Sequence, residues 1–199
     1  TTSYRFARAL IRDGDIGLVR NRGAIERTGS APWTHCCVFC WTRDWSGAPR
    51  VLLIAESREW RGGQILTARS QVRRFPGRID VMRPTCAPSI AALAADVMVR
   101  HAGHDYGWAT VLKAFKQRLA LLRLLGIVGT PDTTENWREL AEWYEPRDCS
   151  QAVCWAFRLS AKKENSAWDL VPNRNEMFVE PQHIGNGAVS LLYPGLVIG

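Results

Sequence analysis

The sequence predicts an α+β domain in which an antiparallel sheet packs against helices, and three observations predict it. Short runs of β-branched, aromatic and cysteine residues fill the first half of the chain, the runs 33–41 and 50–57 above all. The polar stretch 42–49 between them is short enough to join them as a hairpin, which makes the pairing antiparallel. Helical stripes follow. Ala91, Ala92, Leu93, Ala95, Val97, Met98 and Val99 give the segment after Pro88 an apolar side, and Ala152, Val153 and Ala156 repeat at i, i+3, i+4 spacing after Asp148-Cys149-Ser150.

Taken in order, residues 4–11 suit a short amphipathic helix, Asp13-Gly14-Asp15 a turn, and 16–20 a strand leaving it. Asn21 caps a short helix at 23–27, and the Gly-Ser-Ala-Pro stretch 28–32 ends regular structure. Beyond the hairpin, Gly62-Gly63 reads as a turn, 64–74 as a mixed Arg-rich segment and 78–83 as a further strand. His101 and His104 close the Pro88 helix, where an imidazole commonly sits on the surface and complements the dipole. The segment 108–125 reads as a long helix with Val111, Leu112, Phe115, Leu119 and Leu122 on one side, 126–134 as a loop and 135–144 as a short helix. Residues 160–176 read as a polar surface excursion, 181–184 as a turn and 189–193 as a last strand. The whole, 1–199, is expected to be one domain with a helical insertion around 108–146.

Hydrophobic content of 46% and charged content of 23% are ordinary globular values. The net charge of +7 implies attraction to polyanions: nucleic acid, anionic lipid or a negatively charged cell wall. Arg outnumbers Lys 22 to 4, a bias that a GC-rich genome also produces. The chain has no Gly-rich phosphate loop, no dinucleotide fingerprint and no basic run interleaved with aromatics, so no specific nucleic-acid partner is expected. The six cysteines, Cys36, Cys37, Cys40, Cys86, Cys149 and Cys154, do not form a disulfide pattern, and Cys36-Cys37-x-x-Cys40 lacks a second ligand pair at zinc-like spacing, so no metal is expected. Reduced thiols fit a reducing setting. Residues 4–11 are too short and charged for a signal peptide, and the longest apolar stretch, 119–128, contains Arg123 and is too short to span a bilayer. The expectation is a cytoplasmic or phage-associated protein without a transmembrane segment, Thr1 leaving export open. Nothing in the sequence bears on oligomeric state.

The chemistry concentrates on Cys149. A thiol in the first turn of a helix meets unpaired backbone N–H groups and the positive end of the dipole, which lower its pKa and populate the nucleophilic thiolate. The same N–H groups suit the oxyanion formed when sulfur attacks a carbonyl. Free cysteines are more often small buried hydrophobes, so Cys149 needs a base. The hairpin supplies one. If Trp41 and Arg50 close the loop, His35 stands across from Glu56 on the same face, with Cβ atoms ~5 Å apart. A carboxylate so placed orients the imidazole and stabilises the imidazolium, whereas a slip of one residue separates the two.

Four blocks carry a resemblance. Gly14-Asp15-Ile16 with Leu18-Val19, Ser30-x-x-Trp33-Thr34-His35 before an apolar strand, Gly103-x-x-Tyr106, and Asp148-Cys149-Ser150 opening a helix occur in this order, with Glu56 near the end of the strand after His35. Together they resemble the circularly permuted branch of the NlpC-like, papain-fold cysteine hydrolases, which includes relatives of lecithin retinol acyltransferase. Cys37 stands where the family usually has Gly, and Gly107 where an acidic residue often follows the Tyr. The resemblance implies a permuted papain-like fold with the nucleophile at a helix N-terminus. It also implies a Cys149–His35–Glu56 triad, an oxyanion or substrate site including Tyr106, Ser150 and Trp33, and no cofactor. The expected function is a thiol hydrolase of peptidase or amidase type, working through a Cys149 thioester on anionic peptidoglycan-type peptides. The alternatives are an acyltransferase or lipid hydrolase using the same triad at a membrane surface, and a phage or secretion component that keeps the fold without catalysis.

Overall fold

The computed structural model describes residues 2–20, 32–107, 147–172, 174 and 179–198; the helices expected at 23–27 and in the 108–146 insertion lie outside the described residues. The elements in chain order are β1 (Thr2–Ser3), α1 (Tyr4–Leu10), β2 (Ile16–Val19), β3 (His35–Arg43), β4 (Pro49–Arg58) and β5 (Gly62–Thr67). They continue with α2 (Ala68–Arg74), β6 (Ile79–Pro84), α3 (Pro88–Arg100), α4 (Cys149–Lys163), α5 (Pro181–Gly185), β7 (Val189–Tyr193) and β8 (Leu196–Val197). The class is α+β. Six strands form one sheet in the order β5-β4-β3-β2-β6-β7, every neighbouring pair antiparallel.

The central strands β2 and β3 are apolar on both faces because both faces are covered. On one side, Ile16, Leu18, Cys36 and Val38 meet α3 and α4 through Ile90, Ala94, Met98, Ala152, Val153 and Ala156. On the other, Val19, Cys37, Phe39 and Ile54 meet Tyr4, Ala7, Ala68 and Val72 of α1 and α2. The residues 36, 37 and 40 therefore divide between the two cores, Cys37 facing away from Cys36 and Cys40. The approach is close: a Cβ on Gly17 of β2 would lie 2.6 Å from the Cys37 sulfur, whose thiol donates to the Gly17 carbonyl.

Helix α4 is the element the rest surrounds. Its sequence promises an apolar stripe, yet every residue from Cys149 to Arg158 is buried, as expected for a helix enclosed on all sides rather than one lying on a surface. It begins with a capping box. The Asp148 carboxylate accepts from the Gln151 N–H at 2.9 Å, and the Gln151 side-chain carbonyl accepts from the Asp148 N–H at 3.2 Å. Such a cap is worth about 1 kcal/mol and fixes where the helix starts, here on Cys149. At its far end Arg158, fully enclosed, forms a two-pronged pair with Asp169 at 3.0 and 3.1 Å.

Five sequence expectations are corrected. The β3–β4 register pairs Phe39 with Ile54 and Trp41 with Leu52, so opposed numbers sum to 93, not the 91 assumed, with an irregularity between Trp41 and Arg43. The loop is shorter than 42–49 because Asp44 organises a tight turn, accepting from the Ser46 and Ala48 N–H groups. Gly62-Gly63 belongs to β5 rather than to a turn, and their lack of side chains lets the 101–104 backbone lie directly on that strand, with Gly63 donating to the His104 carbonyl at 2.7 Å. The segment 160–176 is a surface excursion only in part: 162–165 and 167 are exposed, but Ser160 and Ala161 continue α4 in the interior, and Asp169, Leu170 and Val171 are buried. Finally, 181–185 is a short helix, α5.

Candidate active site

The N-terminus of α4 meets the beginning of β3 and the end of β4. Cys149 is the first residue of α4, so its side chain lies at the helix turn whose N–H groups have no partner within the helix. The Cys36 thiol and the His35 imidazole, on consecutive residues at the start of β3, are the groups that act most strongly on the Cys149 thiol. His35 Nε2 stands 2.7 Å from Glu56 Oε2, which leaves Nδ1 for a second partner.

The register error leaves this pairing intact for a geometrical reason. Moving from a sum of 91 to one of 93 slides β4 by two residues, and because strand side chains alternate with a period of two, the slide conserves the face. His35 and Glu56 become diagonal rather than direct neighbours, within reach of two long side chains.

Glu56 is 3% exposed and would be costly there alone. Its second oxygen, Oε1, accepts from Gln64 Nε2 at 2.6 Å, Gln71 Nε2 at 2.9 Å and Arg58 Nη1 at 3.2 Å. Burial favours the neutral acid, but the charge and hydrogen bond of His35, then Arg58 and Gln64, outweigh it and hold the Glu56 carboxyl down at about 2. Burial likewise favours neutral His35. The Cys149 thiolate and the Glu56 carboxylate reverse that by charge and hydrogen bond and raise the imidazole to about 10. Cys149 is held well below the ordinary thiol range by the Cys36 thiol, and then, against burial, by the His35 charge and hydrogen bond and the Cys36 backbone N–H. These directions favour thiolate, imidazolium and carboxylate, a row of alternating charge.

The remaining expected site residues take different places. Tyr106 forms a bridge with Arg147, which sets it beside the α4 start, and burial and then the charges of Cys149 and Asp148 push its phenol up, so it remains a donor. Ser150 is 3% exposed, and its hydroxyl lies 2.8 Å from the Val179 carbonyl and 3.0 Å from Asp148 Oδ1, contacts that anchor the helix start. The Trp33 indole donates to Asp80 Oδ2 at 2.8 Å and its ring covers Gly185. His101, expected on the surface, is 1% exposed, with His104 stacked on it at 5.4 Å and Trp155 at 5.9 Å. Burial, then His104 and Arg147, bring its imidazole down to about 4. It is a neutral packing residue at neutral pH.

Three residues escaped the sequence reading. Gln64 pairs with Glu56 across β4–β5, a partnership hidden by placing the turn at Gly62-Gly63. Gln71 reaches Glu56 from α2, at a separation that no local pattern reveals. Cys36 was legible in principle: alternation along β3 turns it to the face opposite Cys37, towards α4. Compared with known proteins, the chain matches no family model, no curated protein and no solved structure.

Proposed function

We propose that the protein is a thiol hydrolase of cysteine peptidase or amidase type, built on a permuted NlpC-like, papain-like arrangement. One observation carries this reading: an imidazole that lowers the pKa of a helix-initial cysteine is itself held 2.7 Å from a buried carboxylate. Nucleophile, base and orienting acid recur in this geometry on unrelated folds and serve acyl transfer. The chain order of histidine, acid and cysteine supports the permuted form.

In the proposed mechanism the Cys149 thiolate adds to an amide carbonyl carbon. The Cys149 backbone N–H at the helix start and the Tyr106 hydroxyl donate to the resulting oxyanion. The His35 imidazolium protonates the departing amine, leaving a thioester, then takes a proton from water as that water attacks the thioester, and the acid product leaves with the thiolate restored. Glu56 keeps the imidazole in the working tautomer and stabilises its charged form. The substrate class, peptides bearing carboxylates as in peptidoglycan stems, follows from the net charge of +7.

Intact-mass trapping across a panel of amide and ester substrates, including muropeptides, tests the reading. The expected result is a covalent acyl adduct mapping to Cys149, with amine release from the amides, and both absent in Cys149→Ala. Amine release that survives Cys149→Ala, or no adduct with any amide or ester, would contradict it.

A further inference from the structure

The sheet face opposite Cys149 carries a concavity that the proposed hydrolysis does not use. It measures about 550 Å³ and lies where α1, β4 and α2 come together, in the layer that Tyr4, Leu52 and Ala68 help to build. Its charged lining is Arg5 and Arg8 of α1, Arg50 of β4 and Arg69 of α2, and no described acidic side chain lines it. Arg8 is held in place, its guanidinium 4.8 Å above the Trp41 ring and its Nη2 donating to the Arg50 carbonyl at 2.8 Å. Arg50 has a counter-charge, its Nε donating to Asp44 Oδ2 at 2.9 Å. Arg5, Arg8 and Arg69 have no carboxylate partner among the described residues. Guanidinium groups gathered around a concave wall without counter-charges focus a positive field that a bound anion relieves.

A second observation points to a ligand. Tyr4 is 7% exposed and lines the same concavity, yet its hydroxyl has no hydrogen-bond partner among the described residues. A buried phenol normally finds one. Burial raises its pKa against the opposing effect of Arg8 and Arg69, so the hydroxyl stays protonated and able to donate. Forked guanidinium donors joined by a hydroxyl donor suit phosphate oxygens, which a fork can meet with two parallel bonds. The rest of the wall includes Val51, Leu52 and Ile198, and the volume falls within the ~300–1,000 Å³ of small-molecule sites. A phosphate alone would leave most of that space empty, so the ligand has an organic body.

We propose that this concavity is a binding site for a phosphate group carried on an organic body, with Arg5, Arg8, Arg69 and the Tyr4 hydroxyl on the phosphate and Val51 and Ile198 against the body. A phosphomonoester, with a charge of about −1.5 to −2, or a diphosphate balances the uncompensated guanidinium groups. The phosphate belongs to a soluble compound or to a phosphatidate headgroup, and the two arms of the test separate these sources. The inference does not depend on the reactivity of Cys149.

One arm titrates the full chain calorimetrically with inorganic phosphate, pyrophosphate and adenosine diphosphate. The other sediments it with phosphatidylcholine vesicles with and without phosphatidic acid. A soluble source is expected to give one saturable site, tighter for adenosine diphosphate than for inorganic phosphate and unchanged in Cys149→Ala. A lipid source is expected to give sedimentation that needs phosphatidic acid. In either case Arg5→Gln and Arg69→Gln are expected to weaken binding about tenfold or more, and Tyr4→Phe a few-fold. Arg73→Gln removes the same charge from an exposed position of α2 outside the concavity, and binding is expected to change by no more than about twofold. No saturable binding in either arm, binding indifferent to Arg5→Gln and Arg69→Gln, or an equal loss in Arg73→Gln overturns the inference. Phenylglyoxal modification of the wild-type chain, mapped by mass spectrometry, decides the matter even if the variants fail to fold. Adenosine diphosphate or the phosphatidic acid vesicles, whichever bind, are expected to shield Arg5 and Arg69 more than Arg73, and equal modification of the three overturns it.

Discussion

Two carboxylates are buried in the same sheet, and each is surrounded by donors, but to different ends. Asp80 in β6 is 0% exposed and receives Arg20 at 2.7 and 2.9 Å, the Trp33 indole at 2.8 Å and the Gly195 N–H at 2.9 Å. Its partners are a guanidinium, an indole and a backbone amide, none of which changes protonation near neutral pH. Glu56 in β4 is 3% exposed and has as many donors, but one of them is His35, whose charge in turn acts on the Cys149 thiol. The Asp80 cluster ties β2, β6 and the loop before β8 together. The Glu56 cluster, in the mechanism proposed above, holds a proton in readiness for chemistry. Burial and hydrogen bonding alone do not distinguish a structural carboxylate from a working one; the titratable partner, and what lies beyond it, does.

The comparison breaks most readily by substitution. Glu56→Gln keeps shape but removes the charge that stabilises imidazolium, and turnover of the trapped substrate is expected to fall roughly 10³-fold or more. Asp80→Asn is expected to lower the melting temperature, with about 1–3 kcal/mol lost as buried donors go unsatisfied, and to leave turnover per folded molecule within a factor of a few. Turnover measured on protein shown to be folded by near-ultraviolet circular dichroism decides the matter. Equal losses of turnover in the two variants would erase the distinction.

Stability against pH sharpens it. Glu56, held at about 2 against an ordinary 4.5, contributes stability that is present above 4.5 and lost as pH falls towards 2. Cys149 and His35 act as a pair. From 6.5 to 9.0, their ordinary values, the unfolded chain carries a thiol and a neutral imidazole, and the folded chain a thiolate and an imidazolium. The proton count is the same, so the pair contributes a plateau. Below 6.5 the unfolded chain binds the extra proton and this contribution declines; above 9.0 it releases one and the contribution declines again, as His35 approaches about 10. Urea titrations from pH 4 to 10 are expected to show the plateau in wild type relative to Cys149→Ala. A wild-type curve superimposable on that of the variant would show that no such pair is held.

The smallest effect is expected at Gln71, one of three donors to Glu56 Oε1. Gln71→Leu is expected to cost about 1 kcal/mol in urea unfolding and to slow Cys149 alkylation only a few-fold, since Gln64 and Arg58 remain. A loss as large as that of Glu56→Gln would make Gln71 a principal support of the carboxylate.

What the sequence disclosed follows from what alternation and capping encode. β2, β3, β4, β6, β7 and the start of α4 were legible, though β5 was not, because β-branched and aromatic runs and the Asp148 cap act locally. The β3–β4 register was not, because it depends on the Asp44 turn and an irregularity near Trp41 that hydrophobicity does not record. The His35–Glu56 pair survived the error only because the error was even. Leu170 and Arg158–Asp169 were misjudged because polar neighbours concealed an enclosed ion pair. The reach of Gln71 to Glu56 depends on long-range packing, which a single sequence does not display.

The central claim is that the Cys36 thiol and the His35 imidazolium, itself held by Glu56, keep Cys149 as a thiolate. Iodoacetamide alkylation of each cysteine, followed by peptide mapping from pH 4 to 9, tests it directly. The account expects Cys149 to react first and rapidly well below pH 7, with that advantage lost in His35→Ala. Slow alkylation of Cys149 until the pH nears 9, unchanged by His35→Ala, would contradict it.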